Sequence, residues 1–276
     1  MIEIAKPVNS GAAGSTTTTL SGPGSGPARF PVLGIGVSAV QIPQVIDIVE
    51  RWILERSRPR YVAVTGMHGI TEAQYDHQFR SILRAADLVV PDGMPLVWIG
   101  RWRGFQIRRR VYGPELMATF FQQTGDRYRH FFYGGAPGVA DRLSQVARER
   151  YGIRVVGTYC PPFRPLTEEE DCEAMRVIAE SRADVLWIGL STPKQERWMS
   201  EHLNKISVPV MLGVGAAFDL NAGTLRQAPS WMREHGLEWF FRLSAEPRRL
   251  WHRYLVLGSK FAWNVSLDLL GLKAFD

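Results

Sequence analysis

The chain has 276 residues, 45% of them apolar, and carries a net charge of +6. That length and apolar share support a full buried core, not a stapled miniprotein, and the basic excess suits a polyanion: nucleic acid, an anionic membrane surface or a nucleotide. Cys160 and Cys172 form no CxxC pair and lie near no matched histidines, which excludes a zinc or disulfide framework and fits a reduced cytosolic setting.

The first 30 residues are poor in apolar side chains and rich in Gly, Ser, Thr and Pro, the composition of a disordered tail. No signal-peptide pattern occurs, nor the roughly 18 uninterrupted apolar residues of a membrane span, so a cytoplasmic protein is expected. From Pro31 to about Leu212, strands are predicted at Val32–Val37, Tyr61–Thr65, Leu88–Val90, His130–Tyr133, Arg154–Gly157, Val185–Gly189 and Val208–Leu212. Helices are predicted near Pro43–Arg56, Thr71–Ala86, Met94–Trp102, Gly113–Thr124, Gly138–Arg150, Thr167–Ser181 and Lys194–Leu203. The alternation argues for an α/β fold: a mostly parallel sheet with helices on both faces, whose ligands sit beyond the carboxyl ends of the strands. Gly34-Ile-Gly-Val-Ser-Ala39 has the spacing of a dinucleotide fingerprint, but the residues after it stay strand-like until Pro43, so a strand through the glycines is expected, with no NAD site.

The unusual residues fall at strand ends. Thr65-Gly-Met-His-Gly69, Pro91-Asp-Gly-Met-Pro95, Gly134-Gly-Ala-Pro-Gly138, Gly189-Leu-Ser-Thr-Pro-Lys-Gln-Glu196 and Gly213-Val-Gly-Ala-Ala-Phe-Asp219 each follow a predicted strand, and together they outline a pocket. Glycine there lets main-chain N–H groups approach a ligand, which makes Gly134, Gly135 and Gly189 candidate nucleotide-binding positions. In the turn after the sixth predicted strand Pro193 can open a helix, presenting Lys194 and Gln195 at an N-terminus that favours phosphate; the alternative is a solvated loop. Asp92 is a candidate general base or, alternatively, a cap for the helix near Met94. No Asp-x-Asp pair offers a metal carrier for a diphosphate, no Gly-x-Ser-x-Gly elbow is present, and the histidines lack metal-ligand spacing, so neither metal nor cofactor is expected. His68 is the histidine placed to contact a ligand.

The set Thr65, Pro91-Asp-Gly-Met-Pro95, Arg110-Val-Tyr-Gly113, Gly134-Gly135, Pro193-Lys-Gln-Glu196, Gly213 to Asp219, Gly223, Ala228-Pro229 and Gly236-Leu-Glu-Trp239 resembles the WecG/TagA/CpsF family of bacterial glycosyltransferases, as does the ending Glu246-Pro-Arg-Arg-Leu250 with Arg253-Tyr254. The resemblance covers nearly everything after the tail. It implies a Rossmann-like domain with a C-terminal appendage. It also implies metal-independent, inverting transfer of a hexose or N-acetylhexosamine from a UDP-sugar to a polyprenyl-diphosphate-linked acceptor, in synthesis of exopolysaccharide, capsule or cell-wall polymer. Asp92 would be the catalytic base, Thr65, Arg110 and Gln195 would line the active site, and Asp219 would face the uracil. Two departures stand out: Met67 and His68 where many members have Asn, and Ser191 where a second glycine is common.

Three segments are therefore expected: a tail over 1–30, a glycosyltransferase core over 31–238, and an appendage over 239–276. In the last, Trp239, Phe240, Phe241, Trp251, Tyr254, Phe261 and Trp263 mix with Arg242, Arg248, Arg249, Arg253 and Lys260. Rings and cations together suit the interface of an anionic bilayer; the alternative is a terminal helix packed on the core. The expectation is an enzyme peripheral to the inner face of the cytoplasmic membrane, with Arg242 or Arg249 against the departing UDP; a homo-oligomer remains open. A nucleic-acid-binding role would use the charge but leave the strand-end loops idle, and a non-catalytic UDP-sugar-binding subunit would keep the pocket without turnover.

Overall fold

The computed structural model describes residues 26–275, so the predicted tail lies outside the described residues up to position 25. The chain enters through a hairpin, β1 (Arg29–Val32) and β2 (Ile35–Ser38), paired antiparallel with Val32 opposite Ile35. Leu33 and Gly34 turn between them, both at positive φ, 48° and 76°, the backbone that twisted two-residue hairpins require. This corrects the expected single strand over Val32–Val37: the chain folds back at Gly34, and the apparent fingerprint opens no helix.

Six strands then build one parallel sheet: β3 (Arg60–Thr65), β4 (Leu88–Pro91), β5 (Arg129–Gly134), β6 (Arg154–Tyr159), β7 (Val185–Gly189) and β8 (Val210–Gly213), in the order β4-β3-β8-β7-β5-β6. Their runs are apolar because both faces are covered. Val62 and Val64 of β3 pack with Val210 and Leu212 of β8 against α1 (Ile42–Glu55), α5 (Gly113–Thr124), α6 (Val139–Tyr151) and α9 (Ala217–Ala222). Tyr61, Ala63, Leu186 and Met211 point the other way, into α3 (His77–Ala85), α4 (Met94–Trp102), α7 (Glu168–Ser181) and α8 (Lys194–His202). The period of two along each strand thus divides one apolar set into two cores.

Local chemistry sets the helix bounds. Ile42, Val45, Ile46, Val49 and Ile53 form the buried stripe of α1, which Gln41 and Gln44 open as a capping box; Thr167 and Glu170 do the same for α7. The helix expected over Thr71–Ala86 is two, α2 (Met67–Glu72) and α3. The Asp76 carboxylate accepts from Phe79 N at 2.9 Å and so caps a new helix.

After the sheet the chain runs through α10 (Ser230–Glu234), α11 (Glu238–Ala245), α12 (Pro247–Trp251), a π-helical turn over His252–Val256, and α13 (Leu257–Leu269). These helices lie on the core beside the carboxyl ends of β3 and β4. Thr71 Oγ1 donates to Leu257 O at 3.4 Å, Arg103 pairs with Asp268 at 2.8 Å, and Phe261 is buried in the second core. No described helix is long and apolar enough to cross a membrane.

Candidate active site

A cavity of about 430 Å³ opens where the carboxyl ends of β3 and β4 meet the C-terminal helices. The core supplies Gly66, His68, Asp92, Trp98, Arg110 and Tyr112, while Glu238, Trp239, Arg242, Arg253 and Tyr254 come from the C-terminal helices. Two carboxyls and three guanidiniums thus share one space.

Asp92 follows β4 directly. Its N–H donates to Thr65 O at 2.9 Å, continuing the β3–β4 ladder, and a Cβ on Gly66 would stand only 2.9 Å from Asp92 O, so glycine is required for the two loops to touch. The cap of α4 is Gly93, with no side chain bonded to it, which removes the reading of Asp92 as that helix's cap. Asp92 Oδ1 is shut off from solvent and has no hydrogen-bond partner. Burial pushes the carboxyl up to about 7; Arg110, Arg242 and Arg253 pull it down, and Glu238 adds to the rise.

Arg110 lies between the Asp92 loop and α5. Val111 N donates to Pro91 O at 2.8 Å, and Gly113 packs against Val214 O, so this segment joins the cavity to the loop after β8. The Arg110 guanidinium pairs with Glu238 and lies 4.2 Å from the centre of the Tyr112 ring. Arg253, in the π-helical turn, donates to the His68 ring, whose protonation is strongly disfavoured by burial and by Arg253 and Arg242. A neutral imidazole accepts such a bond; an imidazolium would repel it.

Of the other expected residues, only Arg242 is among those lining this cavity. Thr65 is fully buried, its hydroxyl unpartnered and so close to Gly69 that any side chain there would collide with it. Gln195 is also buried: its Nε2 donates to Glu196 Oε1 at 3.0 Å, and its Oε1, without a partner, lies beside Gly215. Burial raises the Glu196 carboxyl despite the bonds it accepts from Gln195 and Thr192. Pro193 stands one residue before α8, Gln195 N already donates to Ser191 O at 3.2 Å, and Lys194 is exposed; the turn does not hold Lys194 and Gln195 out together. Gly134 and Gly189 are paired across β5 and β7, Gly135 N donates to Gly189 O at 3.0 Å, and the Phe218 ring fills the space where a Gly189 side chain would be. Half-buried Asp219 follows Phe218 on α9. Arg242 lines the cavity; Arg249 does not, being exposed and paired with Glu246.

Sequence reasoning gave Arg253 and Tyr254 no place in the site and read Glu238 only as part of a motif. Their signal was the repeated recurrence of charge in a segment rich in aromatic rings. The partner of Glu238 lies 128 residues away, which no local pattern reveals.

The gathered groups suit transfer chemistry on an anionic ligand: an unpaired carboxyl with raised proton affinity, cations for a diphosphate and aromatic walls. Among the described residues no three of His, Cys, Asp and Glu gather as a metal cluster. Comparison with known proteins gives concordant relatives. The N-acetylglucosaminyldiphosphoundecaprenol N-acetyl-beta-D-mannosaminyltransferase of Bacillus spizizenii is 26% identical over 217 residues, covering 78% of this chain and 82% of its own length. Proteins of the same name from Bacillus subtilis and Staphylococcus aureus are 24% and 23% identical, each covering 88% of the relative and 83% and 82% of this chain. The profile of the glycosyl transferase WecG/TagA/CpsF family matches residues 30–274, and the chain belongs to that family of glycosyltransferases.

Proposed function

We propose that this protein transfers a hexose or N-acetylhexosamine-type sugar from a UDP-sugar to a polyprenyl-diphosphate-linked acceptor, with inversion and without a metal, at the inner face of the cytoplasmic membrane. The observation that carries the reading is the unpartnered carboxyl of Asp92 in a cavity with Arg110, Arg242 and Arg253. The relatives' name, which specifies a diphosphoundecaprenol-linked acceptor and an N-acetylmannosaminyl group, supports the acceptor class. Asp92 takes the proton of the acceptor hydroxyl as that oxygen bonds to the sugar C1. The C1–O bond to the diphosphate breaks from the opposite side, and its electron pair leaves with UDP. The guanidiniums stabilise the charge that develops on the diphosphate. Thr65 and Gln195 each offer an unpartnered buried oxygen, while the Gly134, Gly135 and Gly189 turns with Lys194 and Asp219 receive the nucleotide.

The C-terminal helices complete the site and bring it to its lipid-linked acceptor. Trp251 and Trp263 are 51% and 67% exposed, amid Arg248, Arg249 and Lys260, a pattern suited to an anionic headgroup layer.

The test is UDP release from a panel of UDP-hexoses and UDP-N-acetylhexosamines, with and without a short-chain polyprenyl diphosphate bearing N-acetylglucosamine. Acceptor-dependent release from one donor is expected. UDP-sugar binding without release would make the protein a binding subunit, and salt-sensitive retention on DNA without UDP binding would make it a nucleic-acid binder.

A further inference from the structure

Glu238 opens α11 and is 6% exposed, a carboxylate carried by the C-terminal helices into a cavity whose other carboxyl belongs to the core. Its partner is Arg110, whose guanidinium is held from a second side by the Tyr112 ring. Asp92 faces the same arginine, yet its Oδ1 accepts no hydrogen bond. The cavity thus has a choice of ion pair and makes it with Glu238. That choice matters, because an arginine bonded directly to a buried carboxylate lowers its proton affinity by about one to three pH units and leaves a weak base. The other groups about Asp92 are Tyr112 and the neutral His68 ring from the core, and Arg242, Arg253 and Tyr254 from the C-terminal helices.

We propose that Glu238 is a positioning residue: it holds the Arg110 guanidinium away from Asp92 and so keeps a carboxyl in the cavity basic enough to accept a proton near neutral pH. The inference rests on the reading of Asp92 as the base. It also gives the C-terminal helices a part in the chemistry, since the residue that sets the protonation of a core carboxyl is delivered by them.

The test is the titration of Asp92 itself, which needs no substrate and therefore stands or falls apart from the identity of donor and acceptor. In protein labelled with aspartate bearing carbon-13 at the carboxyl, the Asp92 resonance is the one lost in Asp92→Asn. In the unaltered protein its midpoint is expected at about 7, the rise coming chiefly from burial. Glu238→Gln removes a negative neighbour and releases Arg110, so the midpoint is expected to fall by at least about one pH unit, a tenfold loss of proton affinity. Glu238→Asp, which keeps the charge, is expected to preserve it. The double variant Arg110→Gln/Glu238→Gln, set against Arg110→Gln alone, keeps the proposal falsifiable if Glu238→Gln does not fold: with the guanidinium gone, loss of Glu238 is expected to move the midpoint by well under about one pH unit. A folded Glu238→Gln protein whose Asp92 midpoint is unchanged or higher overturns the proposal, as does a fall of about one pH unit or more between Arg110→Gln and the double variant, which would mean that Glu238 acts without the arginine. A merely structural Glu238 would alter Tm and leave these titrations where they are.

Discussion

Asp92 combines burial, absence of a hydrogen-bond partner and cationic neighbours, and each feature has a measurable consequence. Asp92→Asn keeps the shape but removes the proton acceptor, so turnover is expected to fall roughly 100-fold or more with UDP affinity nearly unchanged, as steady-state kinetics and calorimetry would report. The same residue makes stability depend on pH. Its native value of about 7 lies above the unfolded value of 3.8, so between those limits the folded protein holds a proton that the unfolded chain has released. Stability contributed by this group is therefore full below about pH 4 and declines as pH rises to about 7, by at most about 4 kcal/mol. Denaturation at a series of pH values should show that decline flattened in Asp92→Asn, with the variant more stable than the parent at pH 8; parallel curves would contradict the burial argument.

At the scale of elements, the break between α2 and α3 shows one side chain overriding a helical pattern. Asp76 caps α3 and also pairs with Arg197 of α8, so Asp76→Ala is expected to cost about 1–2 kcal/mol in chemical denaturation. The C-terminal helices invite a finer test than deletion. Removing residues after Leu237 would take away Glu238, Arg242 and Arg253 from the cavity wall together with buried Phe261, so lost activity would carry no message about membranes. Replacing exposed Arg248 and Arg249 with Gln leaves those groups in place. With about 1 kcal/mol from each cation near an anionic surface, the double variant should bind anionic liposomes at least tenfold more weakly in a sedimentation assay and retain its affinity for UDP. Undiminished sedimentation would assign the segment to packing alone.

On the scale of the whole molecule, the sheet brings to one edge the loops that end β3, β4, β5, β7 and β8, and the C-terminal helices close over two of them. Charge in the cavity is then set by side chains of the core loops, Asp92 and Arg110, together with Glu238, Arg242 and Arg253 of the C-terminal helices. On the proposed reading, in which the cavity guanidiniums of Arg110, Arg242 and Arg253 neutralise the leaving diphosphate, activity is expected to persist in excess EDTA; loss that magnesium or manganese restores would refute arginine-based stabilisation of the leaving group.

What the sequence determined by itself was whatever depends on short-range pattern. Apolar runs of strand length alternating with helical stripes specify a parallel sheet, because only two covered faces can bury strands such as Leu88–Val90 and Val185–Ile188. Glycine, proline and aspartate at the ends of those runs mark the loops where Asp92, Gly134 and Gly189 stand. The same short range misled at Gly34, where a turn at positive φ was read as strand, and at Asp76, whose capping bond competes with helix continuation. Only the tertiary structure decided which charges meet. Arg249 and Arg253 sit four residues apart in one basic segment, yet a π-helical turn carries Arg253 to His68 while Arg249 faces solvent with Glu246. Arg110 and Glu238 meet across 128 residues because the C-terminal helices pack on α2 and α4. The raised proton affinity of Asp92 follows from that packing, since desolvation and the choice of ion pair are properties of the assembled cavity and of no local run of residues.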